Sequence, residues 1–168
     1  MINKKNNKRT NNIEKYILIL LISGYLLGFC VGCYFVFGNT NQAEFTNRIV
    51  KISNIKTLIY FILPIVFKYS GVLSTAMCGL PFFMGVQNSA YYCNLLRINK
   101  TQYVYTTIIS MLKDSAIVFL LILYLIVTII QIIHKRYKLK KDLKYFGFYF
   151  SGALIILSAE YIITKFIF

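Results

Sequence analysis

The sequence predicts an all-α membrane protein, a polytopic bundle of about five transmembrane helices. Of its 168 residues, 58% are hydrophobic and only 14% are charged, so several apolar runs reach spanning length. A span needs roughly 20 mostly apolar residues. Little length remains for a separate soluble domain. We therefore predict a single bundle over residues 16–168, preceded by a basic tail.

The formal net charge of +14 is the second observation behind this class. Nucleic-acid binding would need a basic face exposed to solution, whereas the lysines and arginines are concentrated at the ends of apolar runs. Basic residues in those positions mark the cytoplasmic ends of membrane spans. The charge therefore indicates membrane lipid as a partner and argues against nucleic acid.

The first helix carries a stripe of glycines. Residues 1–15 are polar and basic and are predicted to be a disordered cytoplasmic tail, and 16–37 is the first span, running outward. Gly24, Gly28 and Gly32 recur every four residues and so lie on one side of the helix. Such a stripe permits close packing. Its partner is another helix of this chain, a second copy in a homo-oligomer, or a different protein.

The polar segment 38–57 is predicted to be the one sizeable extracytoplasmic loop. Residues 58–67 are apolar but contain Pro64 and precede Lys68. A lysine in mid-span is costly unless it is paired. We therefore interpret 58–67 as an interfacial or re-entrant helix, with the start of a second span as the alternative.

The stretch 68–96 is apolar enough for a bilayer but rich in small and polar residues. Small residues let helix backbones approach, and amide or hydroxyl side chains in hydrocarbon need partners. Proline cannot donate a hydrogen bond inside a helix, so Gly79-Leu80-Pro81 is predicted to separate two short spans, 69–80 and 82–96, in a hairpin. The alternative is an ordinary pair of spans whose polar groups only satisfy one another. The predicted packing residues here are Gly71, Gly79, Pro81 and Gly85.

The second half of the chain supplies the orientation. Lys113-Asp114 is predicted to interrupt 103–133, leaving a span at 115–133 and a shorter interfacial helix before it. The loop 134–144 carries six Lys/Arg and one Asp, which indicates the cytoplasm. The last span, 145–168, then ends outside. The N-terminus is predicted inside and the C-terminus outside.

This topology brings the membrane charges of Lys68, Lys113, Asp114 and Glu160 to one level in the outer leaflet. At ~1.5 Å per residue from the basic loop, Asp114 lies about 28 Å along its helix and Glu160 about 23 Å along the last one. Isolated charges at that depth are costly, so we predict that these lysines and carboxylates pair. Such pairs either fix helix register or form a proton or ion relay.

Candidate catalytic and metal-binding residues are few. Cys30 and Cys33 form a C-x-x-C motif, but both lie in an apolar helix, and the single histidine, His134, lies in the basic loop. A zinc site needs more ligands than this. No nucleophile elbow or phosphate-binding glycine loop occurs. We predict a non-enzyme without a metal or cofactor.

Two segments resemble a known family. Lys68-Tyr69-Ser70-Gly71, followed eight residues later by Gly79-Leu80-Pro81, is similar to the central segment of stage II sporulation protein M. Ser158-Ala159-Glu160-Tyr161-Ile162 is similar to the glutamate-containing last helix of the wider family. The order of elements agrees over most of the chain.

The resemblance implies a membrane scaffold. In that family, protein M partners stage II sporulation proteins D and P, which remodel septal peptidoglycan during engulfment. It implies that the hairpin and the 38–57 loop contact partners. A different class, the membrane subunit of a small transporter or ABC-type exporter, is favoured by the polar hairpin and the intramembrane charges. A bacteriocin-immunity type protein is a third hypothesis.

Overall fold

The computed structural model describes residues 2–38, 53–70, 73–97, 101–135 and 138–167. Within these ranges the chain is almost entirely helical, which confirms the all-α bundle. The elements in chain order are α1 (Ile2–Gly38), α2 (Ser53–Tyr69), the 3-10 helix η1 (Leu73–Gly79), α3 (Leu80–Arg97), α4 (Thr101–Ile133) and α5 (Leu139–Ile167).

Three helices are long and apolar enough to cross a membrane, counted over the described residues: Asn12–Phe37, Thr107–Ile133 and Leu139–Ile163. Fewer helices therefore meet this criterion than the five predicted, and Thr57–Tyr69 in α2 is a shorter apolar helix. Of the α4 span, 39% is buried inside the protein, against 17% for α1 and 11% for α5. The central helix is thus α4, while α1 and α5 turn apolar sides outward, as lipid-facing helices do.

Contacts of α1 with the middle of the chain show that the two run in the same direction. Gly24 lies beside Cys78 of η1, and Gly28 lies beside Phe82 of α3. Both positions advance by four residues together, so α1 is parallel to the continuous η1–α3 segment.

The remaining helices are ordered around α4. Phe61 of α2 stacks on Tyr124 of α4 with ring centroids 6.4 Å apart, and Lys68 contacts Gln131 further along the same two helices. These two helices are therefore parallel. Tyr124 also packs 5.4 Å from Tyr149 of α5, which returns antiparallel after a short turn. Successive traverses by α1, α2, η1–α3, α4 and α5 alternate in direction, and we call the end that holds the α4–α5 turn the basic end.

The central hairpin reverses earlier than predicted. The reversal falls between Tyr69, where α2 ends, and Leu73, where η1 begins. Gly79-Leu80-Pro81 instead marks the change from 3-10 to α-helix, with Pro81 in the first turn of α3, where its missing N–H has no intrahelical partner to lose. The predicted span 69–80 is therefore wrong, because the second traverse is made by α2.

Residues 58–67 belong to α2 and pack in the core, so their interpretation as an interfacial helix is wrong. Phe61 and Pro64 are fully buried, and Phe61 belongs to the main hydrophobic cluster. The interfacial interpretation rested on the cost of an unpaired Lys68. Its ion pair, described below, removes that objection.

The predicted interruption at Lys113-Asp114 is also wrong, because α4 is continuous from Thr101 to Ile133. Both charges have partners, so the helix has no reason to break there. Its 33 residues extend about 50 Å, more than the roughly 30 Å of a hydrocarbon core. At the end of the bundle opposite the basic end, the first turns of α4 therefore extend out of the hydrocarbon region.

Three terminal and loop assignments change as well. The backbone of residues 2–15 continues α1, so a disordered tail is wrong there; extending an existing helix is far easier than starting one. The loop predicted at 38–57 ends before Ser53, and 39–52 lie outside the described residues. Because α5 begins at Leu139, inside the predicted basic loop 134–144, the last span starts before residue 145.

Candidate functional site

Lys113, Asp114 and Glu160 meet between α4 and α5, as predicted for these three. Nζ of Lys113 lies 2.9 Å from Oε1 of Glu160 and 3.4 Å from Oδ1 of Asp114. The exposed fractions of the side chains are 7%, 6% and 15% for Lys113, Asp114 and Glu160. An enclosed ammonium group needs carboxylate partners to offset its lost hydration. The group therefore ties the two helices together.

Two further side chains complete this α4–α5 charge cluster. The hydroxyl of Tyr92 donates to Oδ2 of Asp114 at 2.6 Å, and Ser110 donates to Oε1 of Glu160 at 3.3 Å. Since Tyr92 belongs to α3, the cluster joins three helices. Neither residue was identified from the sequence, because one tyrosine among 14 gives no signal.

Lys68 lies at the basic end and not in the α4–α5 charge cluster, which corrects its predicted position. Its Nζ lies 2.6 Å from Oδ2 of Asp142 and donates to Oε1 of Gln131, also at 2.6 Å. The hydroxyl of Tyr69 donates to the same Oδ2 at 2.7 Å. We call these four residues the Lys68 cluster. The prediction failed because it began the second span outside, at residue 69, whereas α2 crosses first and ends at the basic end with Lys68 in its last turn.

Asp142 is the functional candidate that sequence reasoning overlooked, although a signal existed. It is the one acidic residue in the basic segment 134–144. It lies in the first turn of α5, where the helix dipole favours a carboxylate, and it is buried. Its Oδ1 accepts no hydrogen bond in the described part of the chain. The signal was this single carboxylate in an otherwise basic segment, because such a group can pair with a buried lysine of another helix.

The two clusters differ in charge balance. Lys68 and Asp142 pair one to one, which yields a neutral tie between α2 and α5. In the α4–α5 charge cluster, Asp114 and Glu160 both face Lys113. Counted over the residues that the structure describes, the cluster therefore carries one more negative than positive charge when all three are ionised. A proton or a cation can neutralise that excess. Of the two clusters, the α4–α5 charge cluster is therefore the one whose charge balance suits a proton or ion relay.

The predicted glycine stripe packs against α3 of the same chain. A Cβ built on Gly28 would meet the backbone of Phe82, and one on Gly32 would meet Val86 and Ser89. From the other side, a Cβ on Gly85 would meet the α1 backbone. The two helices are in backbone contact, and α3 covers the stripe. The stripe therefore contacts a helix of the same chain, one of the predicted alternatives, and a homo-oligomer through it stays a prediction.

The other predicted packing residues contribute less. A Cβ on Gly24 would lie 3.9 Å from the carbonyl of Cys78, and one on Gly79 would lie 3.7 Å from the Phe83 ring. Both are ordinary contacts, so neither position requires glycine for space. Gly71 lies outside the described residues.

One cysteine of the C-x-x-C motif contacts a cysteine on another helix. Sγ of Cys33 lies 3.5 Å from Sγ of Cys93 on α3, while Cys30 faces outward. The described ranges contain no group of three or more residues with metal-ligating side chains. Small buried thiols at a close helix contact are typical packing residues.

The fold and the paired internal charges define a class: a helical membrane protein with its charged side chains satisfied between helices. Neither a protein-family model, nor a curated protein, nor a solved structure matches the chain.

Proposed function

We propose that the protein is a non-catalytic, multi-pass membrane scaffold with a cytoplasmic N-terminus and an extracytoplasmic C-terminus. One observation carries the proposal. Each buried charged side chain of the described residues is in an ion pair: Lys68 with Asp142, and Lys113 with Asp114 and Glu160. These pairs connect α2 to α5 and α4 to α5. Charge used in this way fixes helix register and holds a bundle together.

The orientation is supported by the distribution of basic residues. The basic end combines the basic residues that begin α1 with Lys135, Lys138, Lys140 and Lys141 at the α4–α5 turn. Positive charge at short connections favours the cytoplasmic side. The opposite end, where α1 and α5 end and α2 begins, then faces outward.

The partners we propose are peptidoglycan-remodelling hydrolases of the stage II sporulation D and P type. This step is supported by the resemblance of residues 68–71, 79–81 and 158–162 to stage II sporulation protein M. Partner contact is assigned to segment 39–52 together with the outward end of the bundle, because hydrolases of the cell wall work on that side.

The transporter alternative is favoured by one specific observation. The excess carboxylate in the α4–α5 charge cluster is an arrangement that can accept and release a proton. Against it, α4 ends at Ile133 and α5 begins at Leu139, which leaves five residues between the two helices. This segment was the one candidate for a transverse helix that couples the bundle to an ATPase. Its described residues contain no such helix.

A reconstitution experiment tests the scaffold. The full chain in vesicles, outward end exposed, is incubated with a purified D-type or P-type hydrolase and with peptidoglycan. We expect the vesicles to recruit the hydrolase and to release no fragments alone. A chain with 39–52 replaced by a Gly/Ser linker of equal length is the matched control, and it should not recruit. Turnover by the chain itself after removal of co-purifying hydrolases would refute the proposal.

The alternative has its own assay. Proton flux into the same vesicles is measured for the parent chain and for Glu160→Gln, which keeps shape but cannot exchange a proton. A flux that depends on Glu160 would favour transport, whereas equal, negligible flux in both chains leaves the scaffold as the function.

A further inference from the structure

A cavity of about 690 Å³ opens at the basic end, between α1, α4 and α5. Neither charge cluster uses it, although Gln131 of the Lys68 cluster forms part of its wall. Lys135, one of the residues that line it, has a φ of 50° in the left-handed region, where the chain leaves α4. The cavity is thus built from three separate helices and a sharp turn.

The polar side of the cavity is strongly basic. Lys135, Lys138 and Lys141 line it together with His134, and Glu14 is the one carboxylate among the lining residues that the structure describes. Three lysines against one glutamate leave an excess of two positive charges with His134 neutral. This concentration of cations at one opening favours an anionic ligand.

The remaining wall is apolar and aromatic. Val127 and Ile130 of α4 supply apolar surface, and Tyr145 of α5 lies beneath Lys141, whose Nζ is 5.7 Å from the ring centroid. This cation–π contact holds one of the basic groups against the cavity wall. A ligand that fills the cavity therefore needs both an anionic and an apolar part.

The level of the cavity along the bundle identifies that ligand. The candidate spans of α1, α4 and α5 begin or end at Asn12, Ile133 and Leu139. Glu14, His134 and Lys138 therefore lie where the hydrocarbon region gives way to the headgroups. Basic pockets between transmembrane helices at this level suit lipid phosphates.

We propose that this cavity is a binding site for an anionic phospholipid, with the headgroup phosphate against Lys138 and Lys141 and an acyl chain along Val127 and Ile130. The volume is within the range of pockets that enclose small organic ligands. The proposal does not depend on the scaffold function. A free phosphate would satisfy the basic side alone and leave the apolar wall uncovered.

Binding to the detergent-solubilised full chain is measured by native mass spectrometry, with phosphatidylglycerol, phosphatidylcholine or inorganic phosphate as the probe. We expect Lys138→Gln with Lys141→Gln to weaken phosphatidylglycerol binding by roughly fivefold per lysine, about 25-fold in total. The matched control is Lys140→Gln with Lys144→Gln, which removes equal charge from the first turns of α5, outside the cavity lining. It should bind like the parent.

The outcomes separate the site from its rivals. Equal weakening in both pairs would mean attraction to net charge alone, and equal binding of phosphatidylcholine would mean no headgroup selection. Phosphate binding as tightly as the lipid would mean a soluble-anion site. Each result overturns the proposal. Lys138→Arg with Lys141→Arg keeps the charge and should retain lipid binding, and thermal unfolding of each variant shows that a loss does not come from misfolding.

Discussion

Two donors of α2 converge on a single oxygen of α5 in the Lys68 cluster. Lys68 and Tyr69 both contact Oδ2 of Asp142, and the exposed fractions of Lys68 and Asp142 side chains are 1% and 5%. Removing the carboxylate leaves an ammonium group enclosed by protein. The loss then includes the hydration that Lys68 gave up on folding, and not only the attraction between the pair.

We therefore predict that Asp142→Ala lowers the free energy of unfolding by about 3–5 kcal/mol, the usual effect of breaking a buried pair. Asp142→Asn keeps a hydrogen-bond acceptor for Lys68 and should be milder. Thermal unfolding and accumulation in detergent measure both. The double variant Lys68→Met/Asp142→Leu replaces the pair by apolar groups and should recover most of the loss. A double variant as unstable as Asp142→Ala would contradict this account.

Glu160→Ala should have a smaller effect than Asp142→Ala. Lys113 loses the closer of two carboxylates but keeps Asp114 at 3.4 Å. The expected loss is about 1.5–3 kcal/mol, the value of a hydrogen bond to a charged group. Glu160→Gln still offers an oxygen to Lys113 and Ser110 and should lose less. The same unfolding assay ranks the variants, and a Glu160→Ala variant that melts like the parent would show that Lys113 does not rely on this pair.

The contact between α1 and α3 depends on missing side chains. We predict that Gly28→Ala destabilises the protein by about 1–3 kcal/mol, because its Cβ meets the Phe82 backbone and the two helices must separate. Thermal unfolding in detergent measures the change. A flexible side chain cannot relieve this clash, since the opposing atoms are main chain.

Two glycines supply matched controls for that substitution. Gly24 lies one turn earlier on the same stripe, with its nearest atom at 3.9 Å, so Gly24→Ala should be close to neutral. A Cβ built on Gly147 in α5 would meet no atom of the described residues within 4 Å, and Gly147→Ala should stabilise by about 0.5–1 kcal/mol through helix propensity alone. If all three variants change the stability equally, the close contact between α1 and α3 does not depend on glycine at position 28.

The sequence predicted the helices whose evidence is local and failed where evidence is distant. The apolar run and glycine spacing of α1 lie within one segment, as does the helix start at Pro81. By contrast, placing α2 across the bundle requires knowing that Lys68 meets Asp142, and the continuity of α4 requires that Lys113 meets Glu160. The energetic penalty expected for a charged residue in a membrane assumes that the residue has no partner. Here the partners lie on other helices, where the local sequence does not show them.

The five alternating traverses could be predicted from the charges of the connecting segments. The positions at which the chain reverses between successive traverses could not. Counting crossings between two basic segments fixes their number and leaves open where the chain turns. In the structure the turn at Ser70 lies at the basic end; a hairpin reversing at Gly79-Leu80-Pro81 would put Ser70 at the other end.

Ser70→Cys in a chain free of its native cysteines therefore tests the connectivity. We predict that a membrane-impermeant maleimide labels Ser70→Cys and Lys138→Cys from the same face, and Lys165→Cys from the opposite face. Vesicles of known orientation supply the measurement, and a reporter fused after Phe168 that is active only outside gives the absolute sense. If Ser70→Cys and Lys165→Cys are labelled from the same face, the chain reverses at Gly79-Leu80-Pro81 and not at Ser70.

The Lys68–Asp142 pair also has a consequence for how the chain is made. Asp142 follows Tyr69 by 73 residues, so α2 leaves the ribosome long before its carboxylate partner exists. This helix is shorter than the three candidate spans, and until α5 arrives its lysine has no Asp142 to meet. The helices consequently cannot all settle one by one in order of synthesis. The second helix reaches its final position only when the last one is present, so a nascent chain that stops before α5 lacks Asp142 and remains an unfinished bundle.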